Sequence, residues 1–314
     1  MNKINKKIAI TTGDVNGIGA EITIKALNSL NLPKENVVLI SNKYVLNFYG
    51  ELKTDYEIVE IDFDKKNILS GRISSKSGEF CFQSLKKACE MAKDGTIDAI
   101  VTAPVSKEAL HLAGHKFNGQ TEVLQKYLAK ENQHAEMLFV ANNFRVLLLT
   151  RHVALKDICL NKDEIVKKIS SLDEFFKEKL NIISPTFALC ALNPHAGEHG
   201  ILGREEIEIM QPAVEILKQK GIDVSDPLPA DTLFIQAAKA YLKDKKPPYD
   251  CYIAAYHDQG LIPIKTVAAE KTVNMTIGLD VIRTSPCHGT AFDIAGKNKA
   301  SEKSMIEAIK LCFI

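Results

Sequence analysis

The sequence has almost no excess of charge and no long apolar segment. Its 314 residues include 40 Lys and Arg against 39 Asp and Glu, a formal net charge of +1. So balanced a chain has no overall field that would attract nucleic acid or an anionic membrane. No segment approaches the roughly 20 consecutive apolar residues of a membrane-spanning helix, and the apolar run near the N-terminus is too short for the core of a signal peptide. We therefore expect a cytoplasmic protein.

Paired cysteines and the common short motifs for metals and nucleotides are also missing. The seven cysteines form no CxxC pair, and several lie inside apolar runs, such as Cys190 in TFALCAL and Cys251 in DCYIAAY. We expect them to be reduced, buried thiols. No HExxH zinc motif is present. The loop GDVNGIGAE, in which Asp14 is a strand-end acid beside the glycines, fits neither GxGxxG nor the Walker spacing, so tight packing of a strand against a helix is its simpler interpretation.

What the sequence does contain is a regular alternation of short apolar runs and amphipathic stretches. Seven runs are typical of buried strands, namely KKIAITT, NVVLIS, IDAIVTA, EMLFVA, RVLLLT, TFALCAL and CYIAAY. Helices are predicted between and around them, at Ala20–Leu30, Phe80–Ala92, Lys107–Leu112, Glu122–Ala129, Lys162–Lys177, Arg204–Lys220, Asp231–Leu242 and Ser301–Leu311. The alternation predicts an α/β protein with mostly parallel strands covered by helices. Such folds bind ligands at the carboxyl ends of their strands.

Three histidines directly follow apolar runs. His152 follows RVLLLTR, His195 follows TFALCALNP, and His257 follows CYIAAY. One histidine in such a place is commonly just a hydrogen-bonded or surface residue. Parallel strands end at the same edge of a sheet, however, so three of them can meet there. Three neutral imidazoles would suit a divalent transition metal with an open position for substrate. The pattern alone leaves both interpretations open.

Two further groups of polar residues lie near the C-terminus. Lys265, Asn274 and Arg283 are spaced through otherwise apolar sequence. The two cations can each be surface residues, but together the three would form a clamp for phosphate or carboxylate. The loop TSPCHGTAFDIAG places His288 and Asp293 five residues apart among small residues. Such a loop can bind a dinucleotide without a Rossmann fingerprint.

Several long motifs together resemble the 4-hydroxythreonine-4-phosphate dehydrogenase family. They are TAPVSKEAL, NGQTE, LNPHAGEHGILGREE, PADTLF, YHDQGLIPIK and IRTSPCHGTAFDIAGKNKA. The last also resembles the HGSAPDIAGKG segment of isocitrate and isopropylmalate dehydrogenases. The resemblance implies their fold, two α/β/α domains with a cleft between them. The implied first domain is discontinuous, 1–118 plus 285–314, and the second, 119–284, carries the metal site and the dimer interface.

The resemblance also implies roles for particular residues of this chain. A divalent metal, Zn, Co or Mg, would be bound by His152, His195 and His257. Substrate would be contacted by Gln120, Thr121, Lys265, Asn274 and Arg283. Catalytic roles would fall to Asp231, Asp258 and Lys265, with either aspartate as the base. NAD or NADP would be bound by His288, Thr290 and Asp293. The family forms homodimers with the active site at the subunit interface.

Two motifs depart from the family's usual form. The family commonly has GHTE where this chain has Gly119-Gln120-Thr121-Glu122. Glutamine can donate a hydrogen bond but cannot carry a positive charge, which puts an acid–base role of that position in doubt. The usual GDPAGIGPE is here GDVNGIGAE. Both prolines are lost, so the loop is expected to be less rigid.

The reaction implied by the resemblance is NAD-dependent oxidation of 4-phosphooxy-L-threonine to 2-amino-3-oxo-4-phosphooxybutanoate. This product decarboxylates to 3-amino-2-oxopropyl phosphate, a step of pyridoxine 5′-phosphate biosynthesis. One alternative is the same chemistry on 4-phosphothreonate or 4-phosphoerythronate, which Gln120 keeps open. Another is a metal-dependent phosphosugar aldolase or isomerase that needs no NAD.

Overall fold

The chain forms two compact units in the computed structural model, which describes residues 6–314. The first unit combines the described residues up to Ala135 with Val273–Ile314, and the second is Glu136–Thr272. The limits expected from the sequence, 118 and 284, differ from these. Residues 119–135 stay with the first unit because the helix at Gln120–Leu128 packs on the helix at Ser75–Lys93. Residues 273–284 stay there because they form a hairpin that extends its sheet.

The strands of the described residues are, in chain order, β1 (Ile8–Thr11), β2 (Val37–Ser41), β3 (Glu57–Glu60), β4 (Ala99–Thr102), β5 (Glu136–Ala141), β6 (Phe144–Leu148), β7 (Thr186–Leu189), β8 (Asp223–Val224), β9 (Cys251–Ala254), β10 (Val273–Ile277) and β11 (Ile282–Pro286). The α-helices are α1 (Gly19–Leu30), α2 (Lys43–Tyr49), α3 (Ser75–Lys93), α4 (Lys107–Leu112), α5 (Gln120–Leu128), α6 (Lys162–Glu178), α7 (Gln211–Gln219), α8 (Ala230–Leu242), α9 (His257–Ala268) and α10 (Lys303–Leu311). A π-helical turn, Glu206–Met210, leads into α7. No helix within residues 6–314 is both long and apolar enough to cross a membrane.

The sheet of the first unit has the order β3-β2-β1-β4-β11-β10. All its neighbouring strands are parallel except β10 and β11, which form an antiparallel hairpin. The central strands β1, β2 and β4 are buried along their whole length. Helices that cover both faces of a parallel sheet require such uninterrupted apolar runs, which is why these strands were visible in the sequence.

The sheet of the second unit has the order β5-β6-β9-β7-β8. Strands β5 and β6 are antiparallel, and the others are parallel to their neighbours. Helix α6 begins where the Asn161 side chain accepts hydrogen bonds from the amides of Asp163 and Glu164. This cap and the two acidic residues in the first turn stabilise the helix start. Strands β6, β9 and β7 end beside one another, and each leads into a segment that carries one of the three histidines.

Two segments that carry predicted site residues were assigned no helix or strand from the sequence, yet both are regular. The segment that begins at His257 is helix α9, with Pro263 inside it. The segment 273–286, although Gly278 and Pro286 interrupt it, forms the β10–β11 hairpin with Gly278 in the connection. Gly278 has a φ of 79°, a left-handed conformation that glycine adopts without strain. All seven cysteines are free, as expected, and five of them are buried.

Candidate active site

His152 and His257 lie next to each other at the carboxyl edge of the second unit's sheet. Strands β6 and β9 are parallel, and their pairing continues beyond the strands, since the Leu149 amide donates to the Ala254 carbonyl at 2.9 Å. The two chain segments therefore leave the sheet together. The imidazole ring centroids of His152 and His257 are 5.7 Å apart, and the ring planes are tilted by 45°. Two side chains that are far apart in the sequence are thus neighbours.

His195 lies in a turn of left-handed backbone. Residues His195 to His199 have φ values of 50°, 55°, 78°, 42° and 56°. For residues other than glycine this conformation costs roughly 1–2 kcal/mol each. Asn193, two residues before His195, holds the turn in place. Its backbone amide donates to Glu206 Oε1 at 2.7 Å, and its side-chain Nδ2 donates to Glu205 Oε2 at 2.6 Å. Strain of this kind, maintained by surrounding contacts, is concentrated at functional sites.

Carboxylates orient two of the three imidazoles. Nδ1 of His257 lies 2.6 Å from Asp258 Oδ1, and Nδ1 of His195 lies 2.7 Å from Glu198 Oε1. In both rings this leaves Nε2 as the nitrogen available to a ligand. The hydrogen bond and charge of Glu198, with a smaller contribution from Asp231, raise the pKa of His195. Pairs of carboxylate and imidazole are the usual support of histidine metal ligands.

A cavity of about 630 Å³ opens beside His195. Its wall includes Asp231, at the start of α8, and Tyr256 and Gln259 from the segment around His257. Gln259 is itself held in place, because its Nε2 donates to the Ala191 carbonyl at 2.7 Å and its Oε1 accepts from the Ala255 amide at 2.7 Å. The cavity is large enough for a small phosphorylated metabolite.

The three histidines are not assembled around one point. Within residues 6–314, no three His, Cys, Asp or Glu side chains are grouped closely enough to hold a metal ion. The donor chemistry nevertheless fits a divalent metal, since His152 and His257 are adjacent, and both His257 and His195 keep Nε2 free of their carboxylate partners. The His195 side chain is 62% exposed, so apart from its hydrogen bond to Glu198 it is accessible to solvent.

A second group of predicted residues lies in the first unit, around Arg283. Its side chain is 2% exposed, and Nε and Nη2 both donate to Thr102 Oγ1, at 2.8 and 2.6 Å. Nη1 lies 3.5 Å from Thr276 Oγ1. Burial lowers the pKa of Arg283 to about 10, so it is still charged at neutral pH. No carboxylate among the described residues forms an ion pair with it. A buried cation without a counter-ion is unfavourable and favours binding of an anion.

Two unpaired amide oxygens accompany Arg283. Asn274 lies on the same face of the hairpin as Arg283, two residues from Thr276, which pairs with Arg283. Asn274 Oδ1 is buried and has no hydrogen-bond partner among residues 6–314. Gln120 donates from Nε2 to the Ala103 carbonyl at 3.2 Å, and its Oε1 is buried without a partner in the described part of the chain. Gln120 and Arg283 thus reach consecutive residues at the end of β4. Buried polar atoms left unpaired in a native structure call for a partner, here a donor on a ligand.

The remaining predicted residues are distributed over both units. Thr121 is buried next to Gln120, and Lys265 is half-buried in α9 of the second unit. His288, Thr290 and Asp293 share the loop that follows β11, where His288 and Asp293 are exposed. The Thr290 carbonyl accepts from the Ile18 amide at 3.0 Å, so this loop is joined to the glycine-rich β1–α1 loop.

Sequence reasoning missed three residues that shape the site. Thr102 supplies the hydroxyl partner of Arg283, Glu198 orients His195, and Asn16 joins loops of the first unit. The only signal for each was its position inside a motif, TAPVSKEAL, LNPHAGEHG or GDVNGIGAE. The strand-end acid Asp14 lies in the last of these motifs. Burial raises its pKa to about 6, against the opposing hydrogen bond from the Asn16 amide.

The fold resembles that of β-decarboxylating and isocitrate dehydrogenases. A β-decarboxylating dehydrogenase from Thermococcus kodakarensis superposes with a TM-score of 0.54 at 13% identity, over 98% of this chain and 83% of that one. An isocitrate dehydrogenase from Methylococcus capsulatus gives 0.51 at 12%, over 98% and 84%. The expected fold class is confirmed, a mixed α/β fold resembling these dehydrogenases.

The family follows from sequence. Residues 7–312 match the family model of the pyridoxal phosphate biosynthetic protein PdxA, and the chain belongs to this family. It is 38% identical to a 4-hydroxythreonine-4-phosphate dehydrogenase from Sulfurihydrogenibium sp. and 37% identical to a D-threonate 4-phosphate dehydrogenase from Pectobacterium atrosepticum, with 98% of each chain covered in both cases. A 4-hydroxythreonine-4-phosphate dehydrogenase structure from Klebsiella pneumoniae superposes with a TM-score of 0.85 at 35% identity, over 100% of this chain and 98% of that one. The chain is thus a dehydrogenase of the PdxA family. This assignment rules out the alternative of a phosphosugar aldolase or isomerase.

Proposed function

We propose that the chain oxidises the C3 hydroxyl of 4-phosphooxy-L-threonine with NAD, in pyridoxine 5′-phosphate biosynthesis. The product, 2-amino-3-oxo-4-phosphooxybutanoate, is a β-keto acid and decarboxylates to 3-amino-2-oxopropyl phosphate. The observation that carries this proposal is Arg283, a buried cation whose hydrogen-bond partners are neutral hydroxyls. A doubly anionic substrate supplies the missing counter-charge. The names of the relatives at 37–38% identity support a phosphorylated four-carbon hydroxy acid.

The chain's own polar groups would bind and orient this substrate. Arg283 and Lys265 would hold its phosphate and carboxylate, and fixed orientation of a substrate can lower a barrier by several kcal/mol. The unpaired oxygens of Asn274 and Gln120 would accept hydrogen bonds from its hydroxyl or ammonium group, with Thr121 beside them. The loop with His288, Thr290 and Asp293 would bind NAD.

The histidines and aspartates of the second unit would carry the proton chemistry. A divalent metal, Zn²⁺, Co²⁺ or Mg²⁺, would be held by the imidazoles of His152, His195 and His257 and would supply Lewis-acid polarisation of the reacting oxygen. Asp231 is the better candidate for the base, because it lines the cavity beside His195 and no hydrogen bond engages its carboxylate within the described residues. Asp258 would orient His257 through its 2.6 Å contact.

D-threonate 4-phosphate is the second candidate substrate. The relative from Pectobacterium atrosepticum is named for it, and Gln120 stands where the 4-hydroxythreonine-4-phosphate dehydrogenase family commonly has histidine. With its Nε2 committed to Ala103, Gln120 offers a neutral acceptor, which suits a hydroxyl at C2 as well as an amine.

The deciding experiment compares the two substrates directly. Purified protein, supplied in turn with Zn²⁺, Co²⁺ and Mg²⁺, is assayed for NADH formation with 4-phosphooxy-L-threonine and with D-threonate 4-phosphate. We expect a higher kcat/KM for the first. A preference for the second would reassign the substrate but leave the chemistry intact. No NADH with either substrate under any of the three metals would refute the proposed function.

We further propose that the chain works as a homodimer formed through its second unit. Each segment that carries Asp231 or one of the three predicted metal ligands also exposes a large apolar side chain. These side chains are Leu155 after His152, Ile201 after His195, Ile262 after His257 and Ile235 after Asp231, with exposed fractions between 45% and 80%. Exposed apolar residues grouped beside a polar site favour a protein interface. Sedimentation should show a dimer that Ile201→Lys weakens, whereas a monomeric wild-type protein would contradict the proposal.

A further inference from the structure

The loop between β1 and α1 contains a tight turn at the point where the usual family motif has proline. The Gly17 amide donates to the Asp14 carbonyl at 3.0 Å, and Asp14 Oδ1 accepts from the Asn16 amide at 2.9 Å. Val15 therefore occupies the second position of a β-turn. Proline is favoured there because it fixes φ near −65°. Valine leaves φ free to vary, so this turn lacks the restraint that the usual motif provides.

The Asn16 side chain provides a different restraint. It is fully buried, and its Nδ2 donates to the Arg72 carbonyl at 2.9 Å and to Ser74 Oγ at 3.2 Å. Its Oδ1 accepts from the Leu69 amide at 2.7 Å, and its carbonyl accepts from the Gly71 amide at 2.8 Å. Both amide hydrogens and the amide oxygen are used. A fully satisfied buried amide ties the turn rigidly to segment 69–74.

Both of the segments that Asn16 joins lie against the loop after β11, which carries His288, Thr290 and Asp293. From the turn, the Ile18 amide donates to the Thr290 carbonyl at 3.0 Å, and a Cβ on Gly17 would come within 2.9 Å of the same oxygen. From segment 69–74, a Cβ on Gly71 would come within 2.9 Å of the Phe292 carbonyl oxygen. Neither contact leaves space for a side chain, so a shift of either segment moves the loop.

We propose that Asn16 is a positioning residue for the cofactor. By locking the 14–17 turn to segment 69–74, it fixes the two supports of the loop that carries His288, Thr290 and Asp293. Its hydrogen bonds replace the restraint of the missing proline. The inference rests on the proposed function, since it takes this loop to bind NAD.

The test is the variant Asn16→Ala. Loss of the side-chain hydrogen bonds should raise the dissociation constant of NADH, measured by fluorescence titration, and the KM for NAD by roughly three- to tenfold. The kcat and the KM for the phosphorylated substrate should change by less than about twofold, since Asn16 acts only through the loop. Hydrogen exchange should become faster over 287–296, and the strands β7 and β9 of the second unit should be unaffected.

Two control variants separate positioning from general destabilisation. The double variant Val15→Pro/Asn16→Ala carries the usual Pro-Ala pair and should recover at least half of the lost NADH affinity, because the Val15 amide donates no hydrogen bond within residues 6–314 that proline would remove. Asn28→Ala removes a comparable cross-link in the same unit, since Asn28 bonds the backbone at Glu51 and Lys53. It should leave NADH binding unchanged.

The outcomes distinguish this inference from the proposed function. Wild-type protein that binds NADH, together with Asn16→Ala protein that binds it equally well, would overturn the role of Asn16 alone. That role would also be refuted if Asn28→Ala weakened NADH binding as much as Asn16→Ala does. Wild-type protein that fails to bind NADH or NADPH would overturn the inference and the proposed function together.

Discussion

Replacing Arg283 by methionine should abolish most activity without unfolding the protein. The guanidinium is buried, and its hydrogen-bond partners are two threonine hydroxyls. Methionine has a similar length and suits an apolar environment. The substitution therefore removes the charge that the anionic substrate needs, while it also relieves the folded protein of an unpaired buried cation.

The magnitudes follow from the structure. Burial lowers the pKa of Arg283 from 12.5 to about 10, which corresponds to roughly 3 kcal/mol against the charged form at 1.36 kcal/mol per pH unit. The hydrogen bonds to Thr102 and Thr276 stabilise the fold by about 1 kcal/mol each. These terms nearly cancel, so the free energy of unfolding should stay within about 1 kcal/mol of wild type. Losing a buried, hydrogen-bonded charge pair with substrate should cost about 3–4 kcal/mol, or roughly 10²–10³ in kcat/KM.

Urea unfolding and steady-state kinetics on the same preparation test both numbers. The matched control is Arg145→Met in the second unit. Arg145 is also largely buried, with its pKa lowered by burial, but it stacks on Phe176 at 5.5 Å and donates to the Asp250 carbonyl at 3.3 Å. This variant should lose stability and keep its kcat/KM. Arg283→Met protein that unfolds easily yet turns over normally would refute the reasoning.

Three further outcomes are expected. Burial raises the pKa of Asp14 from 3.8 to about 6, so between these pH values the folded state binds a proton that the unfolded state releases. The free energy of unfolding should therefore fall by roughly 3 kcal/mol as pH rises from about 4 to 6. In Asp14→Asn, the unfolding midpoints at pH 4.5 and 7.5 should differ less than in wild type. His195→Ala should lose metal, measured by elemental analysis after dialysis, together with turnover, and normal activity in the metal-stripped variant would exclude the metal proposal. Asp231→Asn should lower kcat by about 10²-fold or more, whereas Asp258→Asn should mainly weaken metal retention; the reverse pattern in kinetics and metal content would exchange their roles.

Much of the fold could be predicted because burial leaves a local pattern. All seven apolar runs became strands, since a parallel sheet covered on both faces needs continuous apolar residues. The strands that were not recognised are those without such a run. Strand β3 is exposed at both ends, β8 has two residues, and β10 and β11 contain Asn274 and Arg283. Helix α9 was overlooked because Gly260 and Pro263 conceal its periodicity.

The sequence by itself determined where strands end, and therefore that His152, His195 and His257 each lie on a segment that leaves the carboxyl end of a strand. Only the tertiary structure decided which of them meet. The order β6-β9-β7 makes His152 and His257 neighbours, and the left-handed turn held by Asn193 sets the position of His195 apart from them. Strand register likewise decided the environment of Arg283. It brings Thr102, which is 181 residues away in the sequence, and Thr276, which is 7 residues away, to the guanidinium. Local sequence encodes which residues are buried, but the pairing of distant segments decides what a buried charge contacts.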